Sequence, residues 1–385
     1  MKKILIVMVL FSFLLAMGAC SKTEPPKTGS SHSTEVSASA VAIDLPDSGR
    51  INTDNNFTEP APGRIVDVRC DELFMIETLD LLPSPRFQYA SFCFFENKLY
   101  FSAMDNETGV ASIYIWDSES KKANVCYTSE TGAIDFLTDV NGILFFADFK
   151  TPQDIILYGF SPVEKSFRIF AEIKKESGLS FVSCQNYLAV ISKNFKGTFD
   201  VLFFHSTDQR KSGQFHMDMN CVAFPTANIQ QNLFCYVNTT TRTFCYYDID
   251  AEKVISTLSD QLSSVTGASR GLRNQLLFVS DHINYYLYDI HANRTTVLKQ
   301  IDLKYCAGDE IELLDNVAVF SLFDAWVIDP VPRTIQAVNF TLRKQTVLFD
   351  TINVRFACSN NKNKLICIET ANNREIVHLV TAKSH

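Results

Sequence analysis

The chain is 385 residues long, 46% apolar and 20% charged, with a formal net charge of −8 at pH 7. That length is ample for a large buried core, and acids and bases are interspersed without a basic stripe, which argues against nucleic acid as a partner. Thirty-one Phe and 13 Tyr against 14 Gly and 2 Trp describe an aromatic, glycine-poor interior.

Lys2 and Lys3 precede an apolar run from Ile4 to Leu15, and Met17-Gly18-Ala19 stand just before Cys20. These are the three parts of a secretory signal, and the apolar run is short for a membrane span. Its end resembles a bacterial lipobox, with Met17 in place of the usual Leu. The resemblance implies cleavage before Cys20, acylation of that thiol with palmitate-type chains, and a protein anchored to a membrane by lipid. Each buried methylene contributes about 0.8 kcal/mol, so two or three chains hold a protein stably. An ordinary signal cut after Gly18 or Ala19 is the alternative. Five Asn-x-Ser/Thr sequons, at Asn56, Asn106, Asn238, Asn293 and Asn339, keep a eukaryotic secreted protein open.

Residues 20–63 are rich in Ser, Thr, Pro, Gly, Asp and Asn and nearly free of aromatics. Such a stretch buries too little apolar area to fold and reads as a disordered tether. A flexible chain of that length reaches roughly 35–40 Å. The expected organisation is a signal over 1–19, a tether over 20–63 and a folded body over 64–385. The expected address is the extracytoplasmic side of a bacterial cell envelope, with outer and cytoplasmic membranes both open.

Ten cysteines follow Cys20, an even count that invites disulfides. Most lie inside apolar runs such as FCFF, LFCYV and LICIE, where a buried small hydrophobe explains them better. There is no CxxC, the seven His show no metal-ligand spacing, and no Asp-x-Asp-x-Asp-Gly loop is present. Neither a metal nor another cofactor is expected.

From Phe87 onward one pattern recurs: an apolar strand, an Asp or small polar residue, a polar turn, and a cation four or five positions on. It reads IYIWDSESKK at Asp117, ILYGFSPVEK at Ser161, VLFFHSTDQR at Ser206 and FCYYDIDAEK at Asp248. It continues as NYYLYDIHANR at Asp289 and AWVIDPVPR at Asp329, with a degenerate copy, LICIETANNR, at Thr370. The marks lie about 40 to 45 residues apart, the period of a four-stranded propeller blade. Further strand-like runs flank each mark, so a unit reads inner strand, second strand, third strand with its turn, and outer strand. An Asp opening such a turn accepts backbone N–H groups two or three residues on. The motif therefore belongs to folding.

The pattern resembles the Tyr-x-Tyr-Asp turn common to many bacterial β-propellers. The resemblance implies an all-β β-propeller of seven four-stranded blades, with six or eight as alternatives, and leaves activity open. RIVDVRCDELFMIETLDLL, from Arg64, supplies one or two extra strands before the first blade. The last blade reads as complete with EIVHLV as its fourth strand, so the extra strands are expected as an addition or as half of an eighth blade.

GASRG, Gly267 to Gly271, matches G-x-S-x-G, but it falls between blades in this register and a strand follows where a nucleophile elbow needs a helix. It is read as a chance match, and no catalytic residue is assigned. The loops between second and third strands should open on one face. They bring Asp105, Asp148, Lys150, Lys193, Asn238, Asp281, His282 and Asp324 towards one rim, with Phe149, Phe195 and Phe323 beside them. Asn106, Asn194, Arg242, Asn360 and Lys362 belong to the same loops. The set is mixed in sign and rich in amides, which reads first as polar loops kept soluble and second as a hydrogen-bonding recognition face for a protein, peptide or glycan. The first reading is thus a non-enzymatic envelope lipoprotein with a binding platform. The alternative is an extracytoplasmic carbohydrate-active hydrolase or lyase with carboxylates gathered at the channel mouth.

Overall fold

The protein is described by a computed structural model over residues 65–383, apart from 84, 131, 175–177, 195–196, 209–210, 225–231, 239, 242, 259–264, 269–274, 281–283, 290–293, 301–304, 325–332, 351–352 and 359–362. The signal segment, Cys20 and the tether lie outside the described residues. No helix among the described residues is long and apolar enough to cross a membrane.

Two short strands come first: β1 (Val66–Asp67) and, after the one-turn helix α1 (Cys70–Leu73), β2 (Phe74–Leu79). Blade one follows as β3 (Phe87–Phe95), β4 (Lys98–Asp105), β5 (Ala111–Asp117) and β6 (Lys122–Thr128), each antiparallel to the next. The same order repeats over 134–174, 179–217, 221–258 and 265–300, then over 305–350 and 354–382. Seven sheets result, and the molecule is a seven-bladed β-propeller.

The middle strands read as unbroken apolar runs because a blade is covered on both faces by its neighbours. β4 is buried from Leu99 to Ala103, whereas the outer strand β6 has no buried residue. Phenylalanine fills the space between blades. Phe101 stacks on its cross-strand partner Tyr114 at 5.2 Å, Phe146 on its partner Tyr158 at 5.2 Å, and Phe203 of blade three on Tyr247 of blade four at 5.4 Å. Phe92, Phe101 and Trp116 of blade one share a core with Ile366, Ile368 and Val377 of blade seven, so the last blade packs on the first.

The recurring turn forms as its residues dictate. Asp117 Oδ1 accepts the N–H groups of Glu119 and Ser120, and Asp248 Oδ1 those of Asp250 and Ala251. The Ser120 hydroxyl first, then those N–H groups, holds the Asp117 carboxyl below its ordinary pKa. Each turn closes on a residue with left-handed backbone, Lys121, Lys165, Glu252 or Arg343. The first hairpin of blade two turns through Asn141 and Gly142, both at positive φ, as a tight two-residue connection demands.

The sequence register slips at the sixth blade. Residues 325–332, with the mark at Asp329, lie outside the described residues, and the third strand is Arg333–Asn339. Asn339 takes the turn's role, its Oδ1 accepting the N–H groups of Thr341 and Leu342, and Lys344–Asp350 becomes the outer strand. Blade seven therefore keeps three C-terminal strands, Val354–Cys358, Lys364–Ala371 and Arg374–Ala382. EIVHLV is its third strand rather than its fourth. The outer place goes to β2, which pairs with the last strand from Phe74↔Ala382 to Leu79↔Val377. β1 runs parallel along Lys344 and Gln345, making blade six a five-stranded sheet. The N-terminal strands thus edge blades six and seven and build no eighth blade.

Candidate functional site

The second strands of all seven blades end at the same rim, because they pair there with the beginnings of the inner strands. Asp105 lies opposite Phe87, Asp148 opposite Ile134, Asn238 opposite Cys221 and Asp324 opposite Tyr305. Lys193 ends its second strand, and its N–H bonds to the Gly178 carbonyl. The expected common face therefore exists for these positions. Asp281, His282, Phe195 and Arg242 fall outside the described residues, as do Asn360 and Lys362. The side chains of Phe323 and Asp324 are likewise outside them. The strands on either side of Asn360 and Lys362, Val354–Cys358 and Lys364–Ala371, are the first and second of blade seven rather than the second and third.

On this rim the described carboxylates are committed to local structure. Asp105 is mostly covered, and its Oδ2 accepts a bond from Arg86 while its Oδ1 accepts the Glu107 N–H at 2.9 Å. Arg86 also meets Glu107 at 3.3 Å and stands 5.5 Å from the Phe87 ring centroid. The Arg86 hydrogen bond, reinforced by the N–H of Glu107, holds the Asp105 carboxyl down at about 2. The arrangement fixes the loop 106–110.

Asp148 is buried, 2% exposed, between blades one and two. Its Oδ2 accepts the Tyr127 hydroxyl and its Oδ1 the Ser129 hydroxyl, both at 2.7 Å. Ser129 Oγ in turn accepts the Gly132 N–H at 3.0 Å. Burial first, then the bond to Asp148, pushes the Tyr127 hydroxyl far above its ordinary pKa. This network ties the outer strand of one blade, and the connection after it, to the next blade. It answers the desolvation of a buried carboxylate by pairing both of its oxygens.

Lys150 is exposed and meets Glu172 at 3.2 Å. Lys193 is exposed as well. Asn238 Oδ1 accepts the N–H groups of Thr240 and Thr241, both at 3.0 Å, and Asn194 likewise closes its loop through Thr198. Phe149 packs against Phe136 and lies partly covered; Phe136 in turn meets Phe181 at 5.2 Å. Phe136 holds φ +60, which is uncommon for a bulky side chain, within the register shift of its strand.

The site therefore consists of loops braced by their own polar side chains, with Lys150, Lys193, Asn106 and Glu107 presented outward. Among the described residues, no group of three His, Cys, Asp or Glu could hold a metal ion. Gly267 and Ala268 of the G-x-S-x-G match lie in an inner strand, not between blades, and the next described element is again a strand. Arg86 was not among the expected site residues, although its place in PSPRF, directly before the first blade, put it beside the Asp105 loop.

No family model matches the sequence, and no curated protein matches it. Solved structures do resemble it. The uncomplexed acylaminoacyl peptidase of Pyrococcus horikoshii aligns at TM-score 0.55 and 9% identity, over 80% of this chain and 54% of that one. The chain thus spans about half of that peptidase. The β-propeller domain of the Trilobed protease from Pyrococcus furiosus, described as an open velcro topology, aligns at 0.53 and 10% identity, over 77% and 94%. The AfRom2 CNH domain aligns at 0.51 and 9%, over 81% of this chain and all of that one. At such identities the likeness is one of fold, and the chain is similar to all three as a β-propeller.

Proposed function

We propose that the protein is a lipid-anchored envelope lipoprotein whose propeller is a non-enzymatic platform for a protein, peptide or glycan, read by the loops between second and third strands. The observation that carries the platform is the bracing of those loops. Asp105 is tied to Arg86, Asp148 to Tyr127 and Ser129, and Asn238 to its own turn, so carboxylates and amides are spent on shaping a rigid surface. A preshaped surface loses little conformational entropy on binding, which favours recognition. The lipobox-like end of the signal and the Ser/Thr/Pro-rich stretch behind it support the anchor.

The test is a crosslinking pull-down from native envelopes, with the full chain against a Lys150→Glu, Lys193→Glu variant. A discrete partner captured by the first and lost by the second supports the platform. A captured glycan that is turned over by the purified chain would favour the enzymatic alternative instead. The anchor is tested separately by labelling with radioactive palmitate, which Cys20→Ser must abolish.

A further inference from the structure

The outer strand of a blade is a sheet edge, and this fold treats most of its described edges alike. In blades one, two, three, five and six the pairing of third and outer strands shifts register partway along. Such a bulge twists an edge and hinders another strand from adding along its whole length, as the two-residue β1 on blade six illustrates. The edge of blade six is in addition partly covered by β1. β2 has neither protection. Its pairing with Arg374–Ala382 is unbroken over six residues, and Met75, Ile76, Glu77 and Thr78 are all exposed. The outer strand of blade four, Lys253–Leu258, is also unbroken, with Val254 exposed.

Exposed apolar side chains stand on β2 and on the strands at the edge of blade six, beside the exposed Asp71, Glu72 and Asp80. Among the described residues twelve large apolar side chains are exposed, and five of them belong to β1, β2 and the adjoining edge of blade six. They are Val66 at 56%, Met75 at 57%, Ile76 at 37%, Leu342 at 38% and Val347 at 44%. Glu77 is the one charged residue in FMIETL. Blade six already carries a fifth strand, so a blade of this ring accommodates one.

We propose that β2 is a strand-addition site that takes an extended peptide segment of a partner protein, with apolar side chains flanking a Lys or Arg set against Glu77. Main-chain bonds along the free edge supply affinity, and alternate side chains supply specificity. Met75 and Glu77 point to one face of the strand and Ile76 and Thr78 to the other, so the partner needs its cation and an apolar residue two positions apart. The site is separate from the loop face and stands whether or not that face binds a ligand.

The probe is an acetylated seven-residue peptide of Thr and Val with a central Lys, titrated into the full chain. Two controls are the same peptide with a central Glu and one with alternate backbone amides N-methylated. Saturable binding of the Lys peptide is expected, with amide-exchange protection confined to Phe74–Leu79 and loss of binding on N-methylation. Glu77→Lys, an exposed change, should weaken the Lys peptide about two- to five-fold and reverse the preference towards the Glu peptide. Met75→Ser should weaken both peptides. Absence of saturable binding, or binding indifferent to N-methylation and to the charge swap, overturns the proposal. A dimer of the full chain that Glu77→Lys dissolves would also overturn it, assigning the edge to a second copy.

Discussion

Glu375 accepts the backbone N–H of Tyr89 at 2.8 Å, joining two residues 286 positions apart. Arg355 completes the arrangement, donating to the Tyr89 carbonyl at 3.2 Å and meeting Glu375 at 3.2 Å. Tyr89 borders the register shift in β3, and both of its backbone groups are satisfied by side chains of blade seven. The last blade thereby holds the first through two bonds to its main chain, made by an ion pair within blade seven. Removing the acceptor leaves a part-buried N–H and the Arg355 guanidinium without it. Glu375→Ala should cost about 1–3 kcal/mol in urea unfolding, and Glu375→Gln, which still accepts the N–H, less. Unchanged stability in Glu375→Ala would show that the link carries no weight.

Asp148 sets a second expectation. Its carboxylate answers the Tyr127 and Ser129 hydroxyls in a buried site, so truncation orphans two donors and opens a cavity. Asp148→Ala should destabilise by about 2–4 kcal/mol, with Asp148→Asn intermediate, as read from denaturant midpoints. If blades one and two instead relax around the loss, the midpoint will move little.

Acid should weaken the Asp105 loop. The carboxyl is held at about 2 in the fold, first by the Arg86 hydrogen bond, below its unfolded value near 3.8. Its contribution is therefore fully present above that unfolded value and is lost as pH falls through the folded one. The stability difference between the native chain and Asp105→Asn should be constant near neutrality and shrink between about pH 4 and pH 2. A difference independent of pH in that window would contradict the pairing with Arg86.

Much of this architecture is legible in the residues themselves. Asp117 and Asp248 announce their turns because an Asx turn is local, its donors lying two or three positions on. Asn339 escapes notice since an amide does the same work and Asp329, ten residues earlier, resembles the expected mark more closely. That one substitution shifts the blade boundary and hides the role of β2. The common rim of Asp105, Asp148, Lys193 and Asn238 follows from strand order alone. What surrounds them does not: Tyr127 and Ser129 reach Asp148 from another blade, and Arg86 reaches Asp105 from the connection before blade one. Register shifts in outer strands leave no local mark in the sequence either.

The cysteines give a chemical check. Cys70, Cys126, Cys221 and Cys235 carry free thiols. Burial pushes Cys126 up to about 12 and Cys221 up to about 11. A thiolate is the reactive form, so both should resist iodoacetamide at pH 8 until the chain unfolds. Rapid native-state alkylation of the half-buried Cys126 would contradict its raised thiol pKa.

The ring depends on β2. Phe74 is buried between blades six and seven, so Phe74→Ala should cost about 3–5 kcal/mol in denaturant unfolding. A loss well below 1 kcal/mol would mean that three C-terminal strands suffice for the last blade.

The most direct test of the platform places photocrosslinking residues on the two ends of the ring in native envelopes. Positions Asn106, Lys150 and Lys193 report on the loop face, and Lys121 and Glu252 on the hairpin turns at the other end. A discrete adduct is expected from the loop-face positions and none from the turns. Adducts from Lys121 and Glu252 alone would contradict it.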